Sequence, residues 1–203
     1  MIPLNSEITE DLLILFMQED IRKSLEILRN GGVILYPTDT VWGLGCDATN
    51  PDAVSKVYKI KKREDCKSML VLVDHNGRIN SYVDVVPDIA WEIIDAAVRP
   101  ITLIYPGAKN LPKNLVAEDG SIGIRICQDE FCIELIRKFG RPIVSSSANI
   151  SGEKAPSTYE DISEEIKSSA DYIVEWRQDD QTKNPPSSII KLGEGGLFKI
   201  IRA

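Results

Sequence analysis

Asp20-Ile21-Arg22-Lys23-Ser24-Leu25-Glu26-Ile27-Leu28-Arg29-Asn30-Gly31-Gly32-Val33-Ile34-Leu35-Tyr36 is the stretch that decides the fold class. Residues 20–30 form an amphipathic helix pattern, two glycines stop it, and four apolar residues then follow as a buried strand. Helix and strand keep interleaving downstream. Asn50-Pro51 supplies an N-cap and a first-turn proline for a helix through about Ile60, with Val54, Val57 and Tyr58 on one face. Residues 69–73 read as a strand, 87–97 as a helix, 102–105 as a strand and 106–114 as a loop. A strand over 121–126, a helix over 129–139 and a strand over 143–145 come next. Thr158 with Asp161 has the spacing of a capping box that opens one more helix. Residues 188–192 and 198–202 flank Gly193-Glu194-Gly195-Gly196 as a hairpin, and the polar, proline-bearing residues 178–186 read as a mobile loop. No internal repeat is visible. The expectation is one α/β domain over 1–203, with its core from about residue 20 and a mixed sheet flanked by helices.

Composition narrows the function. The 203 residues are 43% apolar, enough to bury a core without disulfides or a structural metal. Lys plus Arg is 24 and Asp plus Glu 31, and a net charge of -7 argues against a broad grip on nucleic acid or anionic lipid while allowing a local basic pocket. No apolar run is long enough to cross a bilayer, and the first residues lack a secretory pattern, so a cytoplasmic protein without membrane contact is expected. Cys46, Cys66, Cys127 and Cys132 contain no C-x-x-C pair and read as small apolar residues. His75, the one histidine, precedes an Asn-Gly turn and reads as exposed. With no G-x-S-x-G elbow, a Ser-His-Asp hydrolase is disfavoured, and histidine-rich zinc sites are excluded.

Three stretches carry chemistry. In Tyr36-Pro37-Thr38-Asp39-Thr40-Val41-Trp42-Gly43-Leu44-Gly45 a buried strand breaks into two hydroxyls around a carboxylate, then two glycines that let a ligand approach the backbone. The same residues also read as an ordinary turn, with Trp42 as core. Lys59-Ile60-Lys61-Lys62-Arg63, with Lys67 after it, follows a helix; part of this cluster answers the helix dipole. In extended chain beyond the helix end Lys61 and Arg63 share a face and suit a polyphosphate. Ser145-Ser146-Ser147-Ala148-Asn149-Ile150-Ser151-Gly152, at a strand end, offers short donors to an anion. Neither a P-loop nor a dinucleotide fingerprint is present. Ser121, Gly123 and Arg125 share one strand face, and Arg202 lies near the last residue.

In this order the segments resemble the YrdC-like family, whose enzymes are threonylcarbamoyl-AMP synthases. The resemblance covers residues 27–202. It implies a twisted mixed α/β sheet around a concave basic cavity. It also implies an enzyme, a nucleotidyltransferase that converts L-threonine, bicarbonate and ATP, with Mg²⁺ carried on ATP and no metal held by the protein, into threonylcarbamoyl-AMP and pyrophosphate. A tRNA-modifying transferase complex then uses the product. The roles implied are L-threonine binding by Thr38, Thr40, Arg125 and Ser145, nucleotide binding by Lys61, Arg63, Lys67, Ser121, Ser147, Asn149 and Arg202, and catalysis by Lys61, Arg63, Ser147 and Asn149. Phosphoryl transfer needs positioning and charge neutralisation more than a protein nucleophile, which suits a chain with one histidine.

The chain departs from the family pattern at Trp42, where a tyrosine is usual, and at Val98-Arg99-Pro100, which stands for Pro-Gly-Pro. It departs again at Ser68-Met69, which stands for Pro-Leu, and at Ala155, where a serine is usual. Two other functions compete: a non-catalytic RNA- or ribosome-binding protein using the same cavity, with weak contact to RNA or tRNA, and a carbamoyl-transfer domain. Acidic charge and few aromatic residues weigh against the first, and the short chain against the second.

Overall fold

The computed structural model describes residues 10–63 and 69–203. Its elements run α1 (Glu10–Arg29), β1 (Ile34–Tyr36), β2 (Gly43–Gly45), α2 (Pro51–Ile60), β3 (Leu70–Val73), α3 (Asp88–Ala96) and β4 (Ile101–Tyr105). There follow β5 (Ile122–Ile126), α4 (Glu130–Phe139), β6 (Ile143–Ser147), α5 (Glu164–Ser169), β7 (Tyr172–Ile173), β8 (Ser188–Leu192) and β9 (Phe198–Arg202). Among the described residues, nine strands join in the order β7-β1-β2-β6-β3-β5-β4-β8-β9. Three neighbour pairs, β1/β7, β3/β5 and β4/β8, are parallel and the others antiparallel, so the sheet is mixed as the sequence predicts.

Strand alternation divides the core between two faces. Ile34, Tyr36, Leu72 and Ile143 turn toward α1 and α4, where Met17, Ile21, Leu25 and Leu28 meet Phe131, Leu135, Ile136 and Phe139. Leu35, Leu44, Val71, Val73 and Val144 turn the other way, into a cluster with Val54, Val57 and Tyr58 of α2. Each such buried side chain contributes roughly 1.5–3 kcal/mol, and trimming fully buried Leu28 to alanine would cost about 2–5 kcal/mol. Gly45 has no alternative in this packing: a Cβ there would lie 2.5 Å from the Tyr36 ring and 3.0 Å from the Val144 carbonyl oxygen.

The helix ends follow the capping chemistry. The Asn50 side chain accepts from the Asp52 and Ala53 amides, Asp129 accepts from the Cys132 amide, and Gly140 closes α4 in the left-handed conformation. Elsewhere the structure corrects the sequence reading. α1 begins at Glu10 rather than near residue 20, because Leu12-Leu13-Ile14-Leu15-Phe16 is apolar on every side and masks the helical period; all five are exposed. Asp161 accepts from the Ser157 and Thr158 amides but closes only a turn. The helix starts at Glu164, where Ser163 caps the Ile166 amide. β2 falls where the sequence also reads as a turn, β6 runs two residues beyond the expected strand, and β7 falls where the sequence reading assigned no element.

Cys46, Cys127 and Cys132 are buried free thiols, whereas Cys66 lies outside the described residues. His75 is exposed, as read from the sequence, and residues 178–186 form turn and coil.

Candidate functional site

One face of the sheet carries a cavity of about 300 Å³. β2, β5 and β6 form its floor, the 37–42 loop one side, and β4, β8 and β9 the other. Its described lining holds three arginines, Arg63, Arg125 and Arg202, and no carboxylate. Thr40, Ser145, Ser146, Ser147, Thr102 and Ser187 add small polar groups, while Met69, Leu70, Ile104, Ile189, Ala155 and Pro186 make an apolar wall. Gly43 and Gly123 leave the floor bare. A Cβ on Gly123 would press on Leu70 and Thr102 at 3.3 and 3.4 Å, so the strands could not pack this closely around a side chain.

Arg125 is the deepest cation. Its Nη1 donates to Thr40 Oγ1 at 2.9 Å and its Nη2 lies 3.1 Å from Asp39 Oδ1, with both charged side chains buried. The hydroxyls then run in one direction. Thr38 Oγ1 donates to the Val41 carbonyl at 2.8 Å, so the 3.0 Å contact between the two threonines is a donation from Thr40, which in turn accepts from Arg125. Thr38 therefore stands behind the cavity and holds Thr40. Arg125 Nε is buried without a hydrogen-bond partner among the described residues.

Lys61 is 1% exposed and is not part of the cavity lining. Its ammonium donates to the carbonyls of Ser147 and Asn149, the latter at 2.7 Å, and its own carbonyl accepts from the Ser151 amide. Burial, helped by the nearby Arg63 charge, pushes its pKa down to about 8. Lys61 thus grips the loop that presents Ser147. Asn149 also faces the loop, donating from Nδ2 to the carbonyls of Ile150 and Glu153, and its Oδ1 is buried with no hydrogen-bond partner among the described residues.

Arg202 reaches the cavity from β9, braced by two donations to the Ser187 carbonyl at 2.9 and 2.7 Å. Burial and the facing Arg125 charge lower its pKa. Ser187 and Thr102 share a buried 2.8 Å hydroxyl contact beneath it. Ser121 is turned to Asp119, its hydroxyl donating at 2.6 Å, and lies off the lining. Lys67 lies outside the described residues.

Of the residues singled out from sequence, the structure brings Thr40, Arg63, Arg125, Ser145, Ser147 and Arg202 to one cavity and sets Thr38, Lys61, Ser121 and Asn149 behind or beside it. Sequence reasoning missed Asp39 as the partner of Arg125 and the Thr102–Ser187 pair. The carboxylate between two threonines was the available signal for Asp39, and Thr102 had none. Trp42 is core, 5% exposed and tilted at 51° against the Tyr159 ring, 5.0 Å between centroids. No cluster of three His, Cys, Asp or Glu able to hold a metal occurs among the described residues.

The family model Sua5_yciO_yrdC, described as telomere recombination, matches residues 26–203. The chain is 35% identical over 188 residues to a putative threonylcarbamoyl-AMP synthase of Methanocaldococcus jannaschii, covering 90% of this chain and 87% of that one. It is 32% identical over 185 residues to the threonylcarbamoyl-AMP synthase of Pseudoalteromonas translucida, covering 90% and 98%. Two solved structures share the fold at 24% identity. The crystal structure of E. coli YciO superposes with a TM-score of 0.79 over 91% of this chain and 89% of that one. P. abyssi Sua5 complexed with L-threonine gives 0.76 over 86% of this chain, which spans only 51% of that longer protein.

Proposed function

The chain belongs to the Sua5/YciO/YrdC family, and we propose from this that it is a threonylcarbamoyl-AMP synthase, condensing L-threonine, bicarbonate and ATP into threonylcarbamoyl-AMP and pyrophosphate. The observation that carries the reading is the meeting of three arginines in one cavity of an acidic chain, with no carboxylate among its described lining residues. Like charges held together this way are stabilised by a polyanion.

The geometry supports a division of labour. Arg125, with Nε unpaired, takes the threonine carboxylate, and Thr40 and Ser145 lie beside it for the hydroxyl and amine. Arg63 and Arg202 take phosphate oxygens, and the apolar wall takes the base. The threonine nitrogen bonds to the bicarbonate carbon with loss of water. A carbamate oxygen then bonds to the α-phosphorus as the bond to the β-phosphate oxygen breaks and pyrophosphate leaves. The protein supplies no nucleophile; it aligns the carbamate and neutralises charge on the phosphoryl oxygens. Mg²⁺ carried on ATP would share that neutralisation, with Arg63 and Arg202 holding the phosphate oxygens.

The product is a mixed anhydride, and the enzyme that consumes it is a tRNA-modifying threonylcarbamoyl transferase complex, in the cytoplasm. No helix among the described residues is long and apolar enough to cross a membrane. A cavity of about 300 Å³ suits a nucleotide better than an RNA backbone, which weighs against the RNA-binding alternative. The test incubates purified protein with ATP, Mg²⁺, bicarbonate and each amino acid in turn while pyrophosphate is followed. Release is expected only with threonine and bicarbonate together; release with every amino acid, or with none, removes the assignment.

A further inference from the structure

Behind the Arg125–Asp39 pair lies a smaller pocket of about 170 Å³, lined in part by Asp39, Arg99, Asn184, Pro186, Ser188 and Ala203. Pro186 lines both spaces, so they are neighbours, and the buried ion pair is the partition between them. Its positive end, Arg125, faces the large cavity and its negative end, Asp39, faces the small one. The Asp39 side chain is 6% exposed; among the described residues its Oδ1 lacks a hydrogen bond despite the nearby Arg125, and its Oδ2 accepts only the Gln128 amide at 3.3 Å. Acceptor capacity therefore remains. Across the pocket Arg99 has no ion pair or hydrogen bond among the described residues, and neither has the Asn184 side chain.

A bare anion in this pocket would meet Asp39, and a bare amine would meet Arg99. A molecule carrying both charges satisfies both walls. The volume admits a molecule of amino-acid size and is below the range of nucleotide-sized sites, roughly 300–1,000 Å³. The geometry points to a second site, for an α-amino acid bound as its zwitterion, with the ammonium on Asp39 and the carboxylate on Arg99 and Asn184. This goes beyond the proposed synthase activity and does not depend on it.

Equilibrium dialysis of the full chain against labelled threonine, without nucleotide, tests the site, with lactate and threoninol as competitors that each lack one charge. Arg99→Gln is expected to weaken one class of threonine binding roughly tenfold or more, Arg99→Lys to restore part of it, and pyrophosphate release at saturating threonine to stay unchanged. Should Arg99→Gln fail to fold, Asn184→Ala is expected to weaken the same class severalfold. Threonine binding identical in the wild type and both variants overturns the proposal, as does lactate or threoninol competing at that site as well as threonine does. Because binding is read without turnover, a protein that releases no pyrophosphate but shows Arg99-dependent binding refutes the synthase assignment alone.

Discussion

Replacing Lys61 with methionine would alter the pH dependence of stability more informatively than it alters stability at any one pH. The wild-type ammonium is almost wholly buried, has carbonyls rather than a carboxylate as its hydrogen-bond partners among the described residues, and has its pKa lowered from 10.5 to about 8. At ~1.4 kcal/mol per pH unit, holding that charge in the fold costs roughly 3 kcal/mol. Between pH 8 and 10.5 the unfolded chain retains the proton that the folded chain has shed. Stability from this group therefore rises with pH across that window, and most of the rise, about 2–3 kcal/mol, is reached by pH 10. The neutral amine still has two N–H groups for the two carbonyls, so the loop keeps its anchor. Methionine removes both the cost and the anchor, and those opposed effects make the sign at pH 7 uninformative. The assay is urea unfolding of both proteins at pH 7, 8, 9 and 10. The wild type should gain stability relative to Lys61→Met as pH rises; parallel curves would mean that Lys61 titrates as if in water, and the argument from its burial would fail.

Three further outcomes follow from the same geometry. Arg125→Gln strands the Asp39 carboxylate in the interior and should destabilise the fold by about 3–5 kcal/mol in urea unfolding, while Arg125→Gln combined with Asp39→Asn recovers a measurable part; no recovery would mean the two charges are not coupled. Ser147→Ala, at the cavity surface, should abolish nearly all pyrophosphate release with the unfolding free energy unchanged within ~0.5 kcal/mol. Gly45→Ala forces a methyl group against the Tyr36 ring and should cost about 1–3 kcal/mol, read as a lower thermal midpoint.

The fold was legible wherever a local rule and the tertiary packing agree. Asn50-Pro51, Asp129 and Gly140 act at helix ends by chemistry that needs no distant partner, and the residues 33–36 run is buried on both faces. Reading failed where the decisive partner is remote. Gly43-Leu44-Gly45 has no strand propensity of its own and becomes β2 because β1 and β6 pair on either side of it. The two residues of β7 are a strand only beside β1. At the site, residue types identified the cations but not their directions. Lys61 and Arg63 were paired by spacing, yet the helix end turns Lys61 inward to two carbonyls while Arg63 lines the cavity. Whether Arg125 offers one free donor or its whole fork depends on Asp39, 86 positions earlier in the chain.

The cavity joins Thr40 from an early loop to Arg202 from the last strand, with Arg63, Arg125 and Ser147 drawn from between. β9 pairs with β8 and gives no side chain to either core cluster. Loosening that pairing would therefore take one of the three arginines out of the cavity while both helical layers stay packed.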